Sequence, residues 1–181
     1  MSRYRRSLAG GGTFFFTVNL ANRKSALLID EIDRLRRVFE LVRTRHPFRT
    51  VAFCVLPEHM HTVWQLPQDD VQYGLRWGMI KRAFSSGLSP AAERSASKIT
   101  KREKGLWQRR FWEHQIRDDA DLQRDVDYIH FNPVKHGLVK QVRDWPHSSF
   151  HVYVERGMLR QDWAGGRGGG QCGRIRGVST R

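Results

Sequence analysis

The sequence predicts an α+β fold with helices packed against an antiparallel sheet, and three observations carry that prediction. Aromatic and β-branched runs alternate with segments of helical periodicity in the order strand, helix, strand, strand, helix, strand, helix. Two of the strand-like runs are separated only by a short turn, so they fold back as a hairpin. Hydrophobic residues make up 39% of the chain and aromatics 11%, enough for the core of one domain plus tails in 181 residues. A ferredoxin-like variant is the natural candidate among such sandwiches.

Residues 13–20 (TFFFTVNL) follow a Gly-Gly-Gly break and read as the first strand. From 26 to about 45, Leu28, Ile32, Leu35, Val38, Phe39 and Val42 recur at steps of three and four. That spacing predicts an amphipathic helix with an arginine-rich outer face, stopped by Pro47. Residues 50–56 form a second strand, Pro57-Glu58 the turn, and 59–66 a third strand closed by Pro67. Residues 71–86 predict a second helix weakened by Gly74 and Gly78. The polar stretch 87–105, with Arg94, Lys98, Lys101, Arg102 and Lys104, reads as a mobile connection or a poorly packed helix. Residues 107–117 (WQRRFWEHQIR) predict a fourth strand. Asp118 or Asp119 then caps a helix that runs through His130 or Asn132. Residues 133–139 add one more turn, ending near Gly137, and 145–154 pack back on the sheet. The expected organisation is a flexible N-terminus at 1–12, one domain at 13–155, and a disordered Gly/Arg-rich tail at 156–181. There is no internal repeat.

Thirty-two Lys and Arg against 18 Asp and Glu give a formal charge of +14, and the basic residues are clustered. Such an excess favours a polyanionic partner, of which nucleic acid is the commonest. No apolar run approaches the roughly 20 residues that span a bilayer, so no membrane association is expected. The apolar patch near the N-terminus is too short and too aromatic for a signal peptide. The two cysteines, Cys54 in an apolar strand and Cys172 in the glycine-rich tail, form neither a disulfide framework nor a zinc pattern. The expected compartment is the cytoplasm. No GxxxxGK[ST] loop is present, which argues against ATP-driven chemistry.

His59-Met60-His61 opens the third strand. Side chains alternate across a strand, so the two imidazoles face one way and Met60 the other. Two imidazoles on one face can hold a divalent metal, although such a pair is also common as ordinary hydrogen-bonded histidine. In the following helix Leu122, Val126 and Ile129 keep core spacing, while Asp121, Asp125, Tyr128 and Asn132 occupy another stripe. Tyr128 and Asn132 are therefore neighbours one turn apart. A phenol ionises near pH 10 (about 10) and needs help as a nucleophile at neutral pH. A metal-held phosphate beside it would provide that help. Lys81, Arg82, Arg109, Arg110 and Arg117 are candidate phosphate contacts. Trp107 or Trp112 can stack on an unpaired base, with core packing the stronger alternative for Trp112. His130 lies two residues from Tyr128, roughly opposite on the helix, and is read as non-catalytic.

LPEHMHTVWQLP, WQRRFWEHQIRDDADL, DYIHFNPVKHGLV and WPHSSFHVY, in that order, resemble the single-tyrosine HUH transposases, and within them the REP-associated tyrosine transposases of bacteria. The resemblance runs from about residue 13 to 153. It implies an HUH endonuclease fold in which the sheet carries the histidines and a helix brings up the tyrosine. It also implies His59, His61 and Asn132 as metal ligands, Mg2+ or Mn2+ as the ion, and Tyr128 as the nucleophile. Related transposases more often carry glutamine where this chain has Asn132. The implied substrate is single-stranded DNA folded into hairpins at repetitive extragenic palindromes, met at the nucleoid by a monomer or a homodimer. Cleavage would leave a 5′-phosphotyrosine and a free 3′-hydroxyl. Two rivals stand beside this reading. One is a domesticated hairpin-binding protein that does not cut; the other is a rolling-circle initiator or relaxase, for whose usual extra domains the chain has no room.

Overall fold

A computed structural model describes residues 11–165. Four strands form one antiparallel sheet in the order β2-β3-β1-β4: β1 is Gly12–Asn19, β2 Arg49–Val55, β3 His59–Leu66 and β4 Trp112–Ile116. Between β1 and β2 lie α1 (Leu27–Asp30) and α2 (Ile32–Arg45), and between β3 and β4 lie α3 (Tyr73–Ser85) and the short α4 (Ala96–Thr100). α5 (Asp119–Lys135), a 3₁₀ turn (Val142–Asp144) and α6 (Phe150–Glu155) follow β4. The β1-helix-β2-β3-helix-β4 order is the ferredoxin-like arrangement expected from the sequence.

Strand alternation sorts the core into two layers. Phe14, Phe16, Val18, Met60 and Trp64 point to the face covered by Leu35, Val38 and Val42 of α2 and Trp77, Ile80 and Phe84 of α3. Phe15, Ala52, Cys54, Val63 and Ile116 point to the other face, covered by Leu122, Val126 and Ile129 of α5 and Phe150 and Tyr153 of α6. Residues 147–149 close part of the β2 edge: Cys54 bridges to Ser148, and the Ser149 N–H donates to the Phe53 carbonyl at 2.9 Å. The segment after β4 thus does pack back on the sheet.

Several expected boundaries move. The first helix is interrupted at Glu31. The strand expected over 107–117 shrinks to Trp112–Ile116; Trp107 makes only an isolated bridge to Leu20. Within 87–105 only Ala96–Thr100 is helical. Asp118 caps α5 by accepting from the Asp121 N–H at 2.8 Å. That helix does not stop before Pro133 but continues to Lys135. A proline removes one N–H and crowds the preceding turn. So near the C-terminus the loss is confined to one bond, and His136 N–H to Asn132 O (3.0 Å) restores the ladder. Of the tail expected from 156, residues 156–165 are described, with Leu159 buried and Trp163 packed against the α5/α6 side of the core. Residues 1–10 and 166–181, including most of both expected flexible segments, lie outside the described residues. Among the described residues no helix is long and apolar enough to cross a membrane.

Candidate active site

Thr17 sits at the centre of the site, because its register puts His61 opposite it on β3 and Trp112 opposite it on β4. His61, Thr17 and Trp112 therefore form one cross-strand row on the α5 face. His59 lies two residues before His61 on the same face, with the rings 4.9 Å apart. Helix α5 crosses above and places Tyr128 with its ring 5.2 Å from that of His61 and 6.0 Å from Phe15. One chain thus brings together the tyrosine and the histidine pair. Asn132, one helical turn on, is fully buried.

The hydrogen bonds of the histidines leave a consistent pattern. The His59 Nδ1 pairs with a Glu58 carboxylate oxygen at 2.9 Å, and a carboxylate only accepts, so Nδ1 carries the proton. His61 Nδ1 meets Thr17 Oγ1 at 2.9 Å. The Thr17 hydroxyl can donate to or accept from that nitrogen, and the other ring nitrogen, Nε2, is buried with no hydrogen-bond partner of acceptable geometry. Both amide atoms of Asn132 are likewise buried without a partner of acceptable geometry. Unpaired buried polar atoms cost about 1–3 kcal/mol each, so a ring nitrogen and an amide left bare side by side are an unusual concentration. Burial pushes the His61 imidazole down to about 3, reinforced by His59, His136 and Lys135 and opposed by the adjoining Asn132 amide. Burial also lowers His59, against the pull of Glu58. Both rings are held neutral, the form in which imidazole offers a lone pair.

Two residues here were not singled out from the sequence. The ring of His136 lies 5.1 Å from that of His59, and the Lys135 ammonium sits 4.7 Å from the centroid of the Tyr128 ring. Both follow helical spacing from Tyr128 and Asn132. The continuation of α5 through Pro133, rather than a separate turn, is what carries them to the site.

The DNA-contact candidates divide. Lys81, Arg82, Trp107 and Arg109 line one recess of about 730 Å³ together with Lys101, Arg102 and Lys104. Its position relative to the site follows from the backbone: the Gln108 N–H donates to Asn19 O at 3.0 Å, and Asn19 pairs with His59. Lys81 donates to Gln108 O at 2.8 Å and lies over Trp107 and Phe111; burial lowers its ammonium to about 8. Arg109 is paired with Glu103 at 3.0 Å. Arg110 is exposed outside the recess, and Arg117 stands at the far end of β4 against Asp121 at 3.3 Å. The tryptophans reverse their expected burial: Trp107 is 8% exposed in the core, and Trp112 is 53% exposed. His130 is buried, bonded to Ser149 Oγ at 2.9 Å on the core side of α5.

Comparison with known proteins adds the family. No family model matches the chain. An Escherichia coli K12 protein named REP-associated tyrosine transposase is 48% identical over 165 residues, 91% of this chain and 92% of the relative. A Haemophilus influenzae protein of the same family name is 45% identical over 166 residues, 91% of this chain and 94% of the relative. The solved structure of a REP-associated tyrosine transposase bound to a REP hairpin superposes with a TM-score of 0.80 at 46% identity, covering 99% of this chain and all of that one. With relatives this similar over nearly their whole length, the chain belongs to the REP-associated tyrosine transposases.

Proposed function

We propose that this chain cleaves and rejoins single-stranded DNA beside hairpins formed by REP-like palindromes, with Tyr128 as the nucleophile. The observation that carries the reading is the meeting of Tyr128 with His61 at a ring separation of 5.2 Å, beside the buried His61 Nε2 and Asn132 amide. The phenolic oxygen attacks phosphorus, a bond from tyrosine oxygen to phosphorus forms, and the bond to the 3′-oxygen breaks. The proton lost by the phenol is matched by the one the departing 3′-oxygen takes up. One phosphodiester replaces another, so the step is reversible without ATP.

His59, His61 and Asn132 fit a divalent cation. They offer neutral, pre-oriented nitrogens and an amide oxygen, and among the described residues no three His, Cys, Asp or Glu side chains converge to hold a metal without an amide. Such an ion, Mg2+ or Mn2+, would neutralise and orient the scissile phosphate. Glu58 and Thr17 fix the histidine rings, and the orienting partner of a ligating histidine is part of such a site. The Lys135 ammonium over the Tyr128 ring favours negative charge developing on the phenolic oxygen.

The test uses a labelled DNA hairpin with a single-stranded flank, incubated with the protein and Mn2+ and resolved on a denaturing gel. Wild type forms a protein–DNA adduct, and Tyr128→Phe binds the hairpin but forms none. An adduct that persists in Tyr128→Phe overturns the nucleophile. A wild type that binds hairpins tightly yet never forms an adduct selects the non-cutting rival.

A further inference from the structure

The geometry points to Trp112 as a stacking platform for an unpaired base of the DNA strand being cut. This rests on the single-strand cleavage proposed above and adds a residue that positions the substrate. Among the described residues, Trp112 and Tyr128 are the two large aromatic side chains that stay exposed, at 53% and 38%. They are not scattered. Both rings pack on Phe15, Trp112 edge-on at 5.6 Å and Tyr128 at 6.0 Å, and Phe15 also contacts His61 at 5.5 Å.

The sheet explains the placement. Trp112 shares a cross-strand row with Thr17 and His61, two strand spacings from the histidine or roughly 10 Å between backbones. A short stretch of extended single strand covers that distance. β4 is an edge strand, and among the described residues no further strand lies beyond Trp112. Its ring is held from below by Phe15 and from the side by His114, whose ring runs nearly parallel at 5.9 Å. The indole is thus fixed by packing while half its surface stays open to solvent beside Tyr128. An unpaired base has a π-face and no partner strand to stack on, and aromatic side chains recognise it without regard to sequence. Trp107, with 8% exposure, has no free face for this purpose.

The experiment measures binding by fluorescence anisotropy in EDTA, so that no cleavage intervenes. Three labelled DNAs are compared: a blunt hairpin, the hairpin with a single-stranded flank, and flanked hairpins carrying an abasic site at each flank position in turn. Trp112→Ala is expected to weaken binding of the flanked hairpin about tenfold or more and leave the blunt hairpin unchanged. At one flank position an abasic site erases the difference between wild type and variant, and Trp112→Phe recovers most of the affinity. Thermal melts of both variants check that the fold is kept. Equal binding of the flanked hairpin by wild type and Trp112→Ala overturns the proposal while leaving hairpin cleavage intact. So does an equal loss on blunt, flanked and abasic DNAs. A wild type that binds none of the DNAs overturns both readings.

Discussion

On the α2/α3 face of the sheet, Trp64 and Trp77 stack at 4.3 Å with an interplanar angle of 14°, surrounded by Phe14, Phe16, Phe48 and Tyr73. On the α5 face, the same strand β3 presents His59 and His61, with buried Asn132 above them. The contrast extends to the unpaired atoms. The aromatic layer leaves indole N–H groups of Trp64, Trp77 and Trp107 without partners, and an indole N–H only donates. The α5 layer leaves ring nitrogens of His61 and His130 and both amide atoms of Asn132, a set that includes groups able to accept a proton or bind a cation. One pleated strand therefore serves both layers: Met60 and Trp64 supply cohesion on one face, and His59 and His61 supply the chemistry on the other, with Val63 packed beside them. The dry aromatic layer gives the reactive layer a rigid floor.

The sharpest way to break this division is to damage the floor. Trp77 is fully buried, so Trp77→Ala should cost about 3–5 kcal/mol of stability, and cleavage should fail only because the protein unfolds. Urea unfolding followed by far-UV circular dichroism measures it. A Trp77→Ala protein with an unchanged midpoint would show that the aromatic layer is not what holds the sheet.

Acid should act through the other layer. Burial pushes both His61 and His130 down to about 3, so each stays neutral in the folded state while an unfolded histidine titrates near pH 6.5 (about 6.5). A depressed folded pKa gives stability that is complete above the unfolded value. Below it the unfolded chain binds protons that the folded chain refuses, so stability falls as pH drops from 6.5 toward 3. The expected slope is about 1.4 kcal/mol per pH unit for each ring. Asp125 and Asp127, raised by burial, act with the opposite sign lower in the acid range. Urea midpoints from pH 8 to 5 in metal-free buffer provide the check, and a flat profile would mean the rings are not held neutral. His130→Gln should make the slope shallower by the share of that one ring.

Much of the site was legible because it rests on local periodicity. A period of two put His59 and His61 on one face, and helical spacing put Tyr128 and Asn132 on one stripe. What was not legible depends on where elements end. WQRRFWEHQIR reads as one continuous strand, yet only Trp112–Ile116 pairs with β1. That boundary sends Trp107 into the core and leaves Trp112 on an open edge. Pro133 reads as the break between a helix and a further turn, and the helix runs through it because Pro133 lies in the last turn and is itself buried. The extension is what carries Lys135 and His136 over the site. Burial of this kind is a tertiary outcome that a one-dimensional pattern does not contain.

Asn132 is where stability and chemistry oppose each other most directly. Its amide is buried with neither atom paired, so the metal-free fold bears a desolvation cost that an apolar side chain of similar size would not. Asn132→Leu should therefore stabilise the metal-free protein by about 1–2 kcal/mol. The same change removes the proposed oxygen ligand. Wild type should gain stability with added Mn2+ as RT ln(1 + [L]/Kd), and the variant should gain much less. Urea unfolding of both proteins in EDTA and in Mn2+ reads the two effects separately. A variant less stable than wild type in EDTA would mean that the amide is satisfied in the fold, and an equal Mn2+ response would remove Asn132 from the ligand set. The expected crossing, with the variant ahead in EDTA and wild type regaining ground in Mn2+, requires a buried amide kept for binding at the expense of packing.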